Sequence, residues 1–294
     1  MNRPFLHKLP LLARDIKISH TLFAMPWALL STIMAWQTTR GPIAAKLALI
    51  LLCMVAARTA AMSANRLLDA KLDAKNPRTA GRAIPSGRLS PAFFLATLLL
   101  CAIAFIASAA AFLHYHNPWP LRLALPVLVF ICAYPLLKRF TRLCHYYLGT
   151  ALGLAPVCAY VAIAGSLQLP PVIMGAAVLL WTAGFDIIYA CQDYQSDLAT
   201  GVVSIPACLG IRNALWVARL THILCAALLI LLGCSSPQLH TLYFIAAAIA
   251  IALLIYEHTL VKPHDLSKVN VAFFTLNGLI SLLVATLGII DVLL

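Results

Sequence analysis

The chain has 294 residues, of which 63% are hydrophobic and 10% charged, with a mean hydropathy of +0.94. Soluble domains carry roughly 25% charge, so this composition excludes a soluble globular protein and indicates an all-α, polytopic membrane protein forming one domain over 1–294. The formal charge of +12 does not indicate a nucleic-acid partner, because Lys and Arg sit in short segments between apolar runs and not along one soluble face.

Taken in chain order, residues 1–17 are basic and interrupted by Pro4 and Pro10. The apolar run that follows is long enough to span and lacks a clear small-residue cleavage site, so it reads as a retained helix and not a cleaved signal. A span needs about 20 mostly apolar residues. Nine stretches meet that criterion: 19–37, 43–67, 90–113, 119–137, 145–166, 170–190, 213–232, 239–257 and 268–291. Pro26, Pro126, Pro135 and Pro156 fall inside them and are expected to kink helices that packed neighbours then support. Gly149-x-x-x-Gly153 is a close-packing signal. The nine cysteines form no C-x-x-C pair and read as small core residues. His20 and His145 lie at helix starts and read as packing or interfacial residues.

With the N-terminus in the cytoplasm, the even-numbered connections carry most of the Lys and Arg, while Arg40, Lys46 and Arg122 fall near the opposite side. This asymmetry fixes the expected orientation in a cell (inner) membrane. Two cytoplasmic connections, about 68–89 and 191–212, are long enough to be functional caps.

Five of the nine carboxylates fall in two clusters beside those caps: Asn65-Arg66-x-x-Asp69-x-x-x-Asp73 and Asp186-x-x-Tyr189-x-x-x-Asp193-x-x-x-Asp197. Acids at membrane depth are costly and mark functional sites by default. At 3.6 residues per turn each set drifts by only about 80° around its helix, so each forms a stripe. Like charges at i, i+4 repel by roughly 0.2–0.5 kcal/mol per pair, a penalty that a divalent cation removes. Oxygen-only ligands favour Mg²⁺ or Ca²⁺, and Mg²⁺ is commonly completed by substrate phosphates. Arg78 and Arg82 after the first cluster, with Lys138, Arg139 and Arg142 at the end of the fourth span, supply the basic half of such an anion site. Lys138-Arg139-x-x-Arg142 reads equally well as a positive-inside signal. The two clusters end the second and sixth spans, which suggests two similar halves with a site between them.

Asn65 to Asp73 followed by Pro77-Arg78-Thr79-Ala80-Gly81-Arg82-Ala83-Ile84-Pro85-Ser86-Gly87, then Tyr134-Pro135-Leu136-Leu137-Lys138-Arg139, then Asp186 to Asp197, resemble in order the signatures of the UbiA-type intramembrane aromatic prenyltransferases. The resemblance implies nine helices around a central cavity open to lipid and capped by cytoplasmic loops. It also implies transfer of a polyprenyl chain from a polyprenyl diphosphate to an aromatic carboxylic acid, as in lipid quinone biosynthesis. Asn65, Asp69, Asp73, Asp186, Asp193 and Asp197 would then hold Mg²⁺, and Arg78, Arg82 and Lys138 the diphosphate. Tyr189 would present its ring to the allylic cation. Where 4-hydroxybenzoate enzymes of the family carry Arg-x-Asp-Lys-Pro-Ile-Gly, this chain has Arg14-Asp15-Ile16-Lys17-Ile18-Ser19-His20. Arg14 or Lys17 would hold the acceptor carboxylate. The departure leaves 4-hydroxybenzoate and 1,4-dihydroxy-6-naphthoate as acceptors of equal standing.

An ion-coupled transporter is the rival from another class, but it predicts acids near the membrane midplane. These acids sit at one face, beside basic loops.

Overall fold

The structure, a computed structural model, describes residues 5–17 and 21–294. It is helical throughout, and among the described residues there is no β-strand beyond an isolated Lys262–Asp265 bridge. In chain order the helices are α1 (Phe5–Asp15), α2 (Thr21–Thr39), α3 (Ala44–Asp73), α4 (Pro91–Ala110), α5 (Trp119–Leu137), α6 (Cys144–Ala164), α7 (Leu169–Ala190), α8 (Tyr194–Thr200), α9 (Ile205–Ser235), α10 (Thr241–Leu260) and α11 (Asn277–Leu293). Eight of the described helical stretches are long and apolar enough to cross a membrane. The ninth expected span, 19–37, appears as α2, a 19-residue helix whose apolar run is interrupted by Pro26, Ser31, Thr32 and Gln37. Length and apolarity therefore support eight spans, and the expected count of nine is not confirmed.

Helix α7 is the axis of one side of the bundle: Met174, Val178 and Trp181 are at most 1% exposed, and it packs between α6 and α9. Its approach to α6 is set by glycines. A Cβ on Gly149 would lie 2.3 Å from the Leu179 carbonyl oxygen, and one on Gly153 would lie 2.4 Å from that of Gly175. Helices α2, α10 and α11 complete this side, while α3, α4 and α5 pack together opposite it. Pro26, Pro126, Pro135 and Pro156 all lie inside helices, as expected.

The segment expected to be a basic extension is partly helical: α1 contains Pro10 and buries Leu12 and Ile16 against Ala83, Leu89 and Phe94. Asp15 secures it. Its carboxylate accepts from Arg66 Nε at 2.8 Å and from the Ala83 amide at 2.7 Å.

Both caps differ from the expected loops. The first begins later, because α3 continues to Asp73; its acids are neutralised by nearby cations, which removes the repulsion that would fray its end. The second, expected as a loop over 191–212, is mostly helical. A 3₁₀ turn at Cys191–Asp193 leads into α8, which ends on Gly201 in the left-handed region (φ 71°). Ser204 then caps α9 by accepting from the Ala207 amide, with Pro206 in the first turn. Gly210 (φ 77°, ψ 157°) breaks α9 soon after its start.

Candidate active site

The first acidic stripe lies on the last two turns of α3. Asp69 is fully buried; its Oδ2 accepts from Lys138 Nζ at 2.5 Å and from Asn65 Nδ2 at 2.9 Å. Arg66 Nη1 donates to Asn65 Oδ1 at 2.6 Å, which turns the Asn65 amino group toward Asp69. The other Asp69 oxygen, Oδ1, is buried with no hydrogen-bond partner among the described residues. Arg139 lies 3.8 Å from that oxygen, is more exposed, and donates to the Leu68 carbonyl at 2.6 Å. One turn on, both oxygens of Asp73 accept from Arg82 Nη1, at 2.7 and 2.8 Å. Thr79 donates to the Asp73 carbonyl, folding the cap back over the helix end.

The second stripe is not one continuous helix face. Asp186 and Tyr189 belong to α7, Asp193 closes the 3₁₀ turn, and Asp197 sits on α8. Arg78 Nε and Nη2 grip Asp193 at 2.8 and 2.5 Å, and Asn76 Nδ2 adds a third bond at 2.8 Å. Arg78 also donates to the Tyr189 hydroxyl at 3.0 Å, with its guanidinium 5.1 Å from the ring centre. Burial works against the Arg78 charge, but the hydrogen bonds and field of Asp193 hold its pKa above the ordinary arginine value. Asp186 Oδ2 pairs with His145 Nδ1 at 2.7 Å, and Asp197 Oδ2 accepts from Ser204 Oγ at 2.7 Å.

Both stripes line one cavity of about 450 Å³, together with Arg78, Arg82, Lys138 and Lys17. Its deeper wall is apolar and includes Ile50, Phe105, Phe112, Leu123, Val127 and Ile131. Lys17 stands 5.1 Å from the Phe274 ring centre and 5.9 Å from that of Tyr189. Its pKa is lowered to about 8 by burial and then by the neighbouring charges of Arg78, Arg82 and Arg66. Two residues expected at the site stand apart. Arg14 is on the exposed side of α1, and neither it nor Arg139 lines the cavity. His20 lies outside the described residues.

The structure adds residues that sequence reasoning missed. Arg58 lines the cavity about two turns before Asn65 on α3. Its Nη2 reaches only the Lys17 carbonyl, at 3.4 Å, its Nε is buried without a partner, and no carboxylate among the described residues pairs with it. A lone arginine in an apolar span was the available signal. Tyr134, which heads the segment Tyr134-Pro135-Leu136-Leu137-Lys138-Arg139 without a role of its own in the sequence reading, and His145, which reads there as a packing or interfacial residue, also line the cavity.

Among the described residues, no three His, Cys, Asp or Glu side chains converge tightly enough to hold a metal by themselves. The acids are matched with cations instead: Asp69 with Lys138, Asp73 with Arg82, Asp193 with Arg78. The donor set is nevertheless all oxygen around one cavity, with the Asp69 Oδ1 lone pairs unused. That suits Mg²⁺ completed by phosphate oxygens better than a preformed all-protein cage.

A helical membrane bundle with acids and basic forks at one end of an otherwise apolar cavity defines an intramembrane protein suited to a ligand with an anionic head and a greasy tail. The chain belongs to the UbiA prenyltransferase family, whose sequence profile matches residues 24–279. It is 32% identical over 221 residues to a protein of Tolumonas auensis named 4-hydroxybenzoate octaprenyltransferase, an alignment covering 75% of each chain. Its fold superposes on a UbiA homolog from Aeropyrum pernix K1 with a TM-score of 0.81 at 30% identity, covering 94% of this chain and 98% of that one. A UbiA homolog from Archaeoglobus fulgidus, bound to DMAPP and Mg²⁺, has the same fold at 17% identity (TM-score 0.72, covering 96% and 99%).

Proposed function

We propose that the chain transfers a polyprenyl group from a polyprenyl diphosphate to an aromatic carboxylic acid in lipid quinone biosynthesis. In this reading the N-terminus and the site face the cytoplasm in the cell's inner membrane, and the cavity opens to lipid so that a long tail is handled there. One observation carries the reading: the acids and cations of both halves line a single cavity whose remaining wall is apolar. Asp69, Asp73 and Asp193 are already neutralised by Lys138, Arg82 and Arg78. A metal diphosphate brings both signs at once, so Asn65, Asp69, Asp73, Asp186, Asp193 and Asp197 would turn to the metal while Arg78, Arg82 and Lys138 turn to phosphate oxygens.

Bound Mg²⁺ would neutralise the diphosphate and make it a better leaving group. The allylic carbon–oxygen bond breaks with its electron pair going to diphosphate, whose charge Arg78, Arg82 and Lys138 stabilise. Tyr189, hydrogen-bonded by Arg78 and packed at a 32° tilt against Phe273 with ring centres 4.1 Å apart, presents its ring face to the allylic cation. The ring carbon beside the phenol forms the new bond and then loses its proton. The apolar wall excludes water, which would otherwise capture the cation.

Arg58 and Lys17 are the cationic groups best placed to receive the acceptor carboxylate, since neither has an acid partner among the described residues. The names of the relatives support 4-hydroxybenzoate. The wording Arg14-Asp15-Ile16-Lys17 keeps 1,4-dihydroxy-6-naphthoate as a second acceptor. Mass spectrometry of products from membranes given both acids and labelled prenyl diphosphate decides between them. Loss of Mg²⁺-dependent pyrophosphate release in Asp69→Ala and Asp193→Ala is expected; unchanged product formation in both would overturn the enzymatic reading.

A further inference from the structure

We propose that His145 is a positioning residue that sets the carboxylate of Asp186 and ties it to the strap 202–205. The inference rests on the reading of Asp186 as a metal ligand. His145 begins α6 and is 3% exposed. Its two ring nitrogens face different partners: Nδ1 lies 2.7 Å from Asp186 Oδ2, and Nε2 lies 3.2 Å from the amide nitrogen of Ile205. A backbone N–H only donates, so Nε2 is the acceptor. The neutral ring then carries its proton on Nδ1, aimed at Asp186, and the tautomer is fixed by the start of α9 and not by the carboxylate alone.

The strap that supplies the Ile205 amide is itself tied to the site. The Val203 amide donates to the Lys138 carbonyl at 2.7 Å, and Ser204 Oγ donates to Asp197 Oδ2 at 2.7 Å. Three consecutive residues, Val203 to Ile205, thus hold the segment carrying Lys138, the carboxylate of Asp197 and, through His145, that of Asp186. Asp186 Oδ1 takes no hydrogen bond from the described residues. His145 occupies one oxygen, fixes the plane of the carboxyl group, and leaves the other for a ligand. Hydrogen bonds of this kind around a metal-binding carboxylate orient it, and their loss typically weakens metal binding by roughly 10–100-fold.

The test compares two amides in the purified full-length protein. His145→Asn keeps a donor near the Nδ1 position and loses the group near Nε2; His145→Gln does the reverse. Mn²⁺ binding is titrated by the electron paramagnetic resonance signal of free Mn²⁺, with geranyl thiolodiphosphate present so that no turnover occurs. H145Q is expected to bind Mn²⁺ roughly 10–100-fold more weakly, with H145N within a few-fold of wild type. Wild-type affinity in H145Q, or equal losses in both amides, overturns the assignment, because a merely packing role does not distinguish them. Ile205→Pro leaves His145 in place and removes the donated N–H at a helix start that tolerates proline. It is expected to weaken Mn²⁺ binding as well, and unchanged affinity removes the tautomer lock. Asp186→Ala separates the two readings. If it binds Mn²⁺ like wild type, the metal role of Asp186 fails; if it loses Mn²⁺ while H145Q does not, only the role of His145 fails.

Discussion

Arg78 and Asp193, 115 residues apart in sequence, form a two-point fork in which Nε and Nη2 of the guanidinium meet the two carboxylate oxygens at 2.8 and 2.5 Å. This pair closes the first cap onto the second and holds a cation over Tyr189. Lysine offers a single point charge and lacks the planar fork. Arg78→Lys is therefore expected to lower kcat/KM for the prenyl diphosphate by about 10–100-fold, or about 1.4–2.8 kcal/mol. Initial rates over a range of diphosphate concentrations check this, and a rate within twofold of wild type contradicts the fork.

Arg58 has one long backbone contact and no carboxylate partner among the described residues. Arg58→Gln is expected to raise KM for the aromatic acid by about tenfold or more, since an unpaired cation in an apolar wall gains most from an anionic partner. KM for the diphosphate should change little. Equal effects on both substrates would place Arg58 at the diphosphate instead.

Lys17 titrates near pH 8 because burial, then Arg78, Arg82 and Arg66, disfavour its charge. Its folded pKa lies below the ordinary lysine value of 10.5. The ammonium is present at pH 7 and is lost as the pH passes through about 8. Between there and about 10.5 the unfolded chain binds the extra proton, so this group's contribution to stability rises with pH while its electrostatic hold on an anion falls. kcat/KM for the acceptor, which reports the free enzyme, should decline above pH 8. Lys17→Arg should flatten that limb, and an identical profile in the variant would assign the decline to another group.

Gly149 and Gly153 allow α6 and α7 to touch backbone to backbone. Gly153→Ala places a methyl group where a carbonyl oxygen already sits, and overpacking of this sort costs about 1–3 kcal/mol. A lower thermal unfolding midpoint in detergent is expected, larger than that from alanine at Gly278, where a Cβ meets nothing within 4 Å.

The sequence alone determined the membrane-spanning helical class, because composition and roughly 20-residue apolar runs respond directly to the solvent. It also placed the first acidic stripe, since helical periodicity turns spacing into a shared face, whereas the second is carried by α7, a 3₁₀ turn and α8 and so was not set by periodicity alone. Local signals in Ser90-Pro91, Gly201 and Ser204-x-Pro206 account for the helix starts and ends around the caps.

Only the tertiary structure decided how the stripes are neutralised. Lys138 meets Asp69 across 69 residues and His145 meets Asp186 across 41, distances at which no periodicity applies. The same limit hid Arg58: one arginine in an apolar helix could be placed at a depth by sequence, but its missing partner became visible only when the surrounding helices were packed. It also left Arg14 and Lys17 alike on paper, until the turn after α1 put Lys17 in the cavity and Arg14 on the outside. Local chemistry is written along the chain at helical spacing, whereas pairing between distant charges depends on which helices pack together.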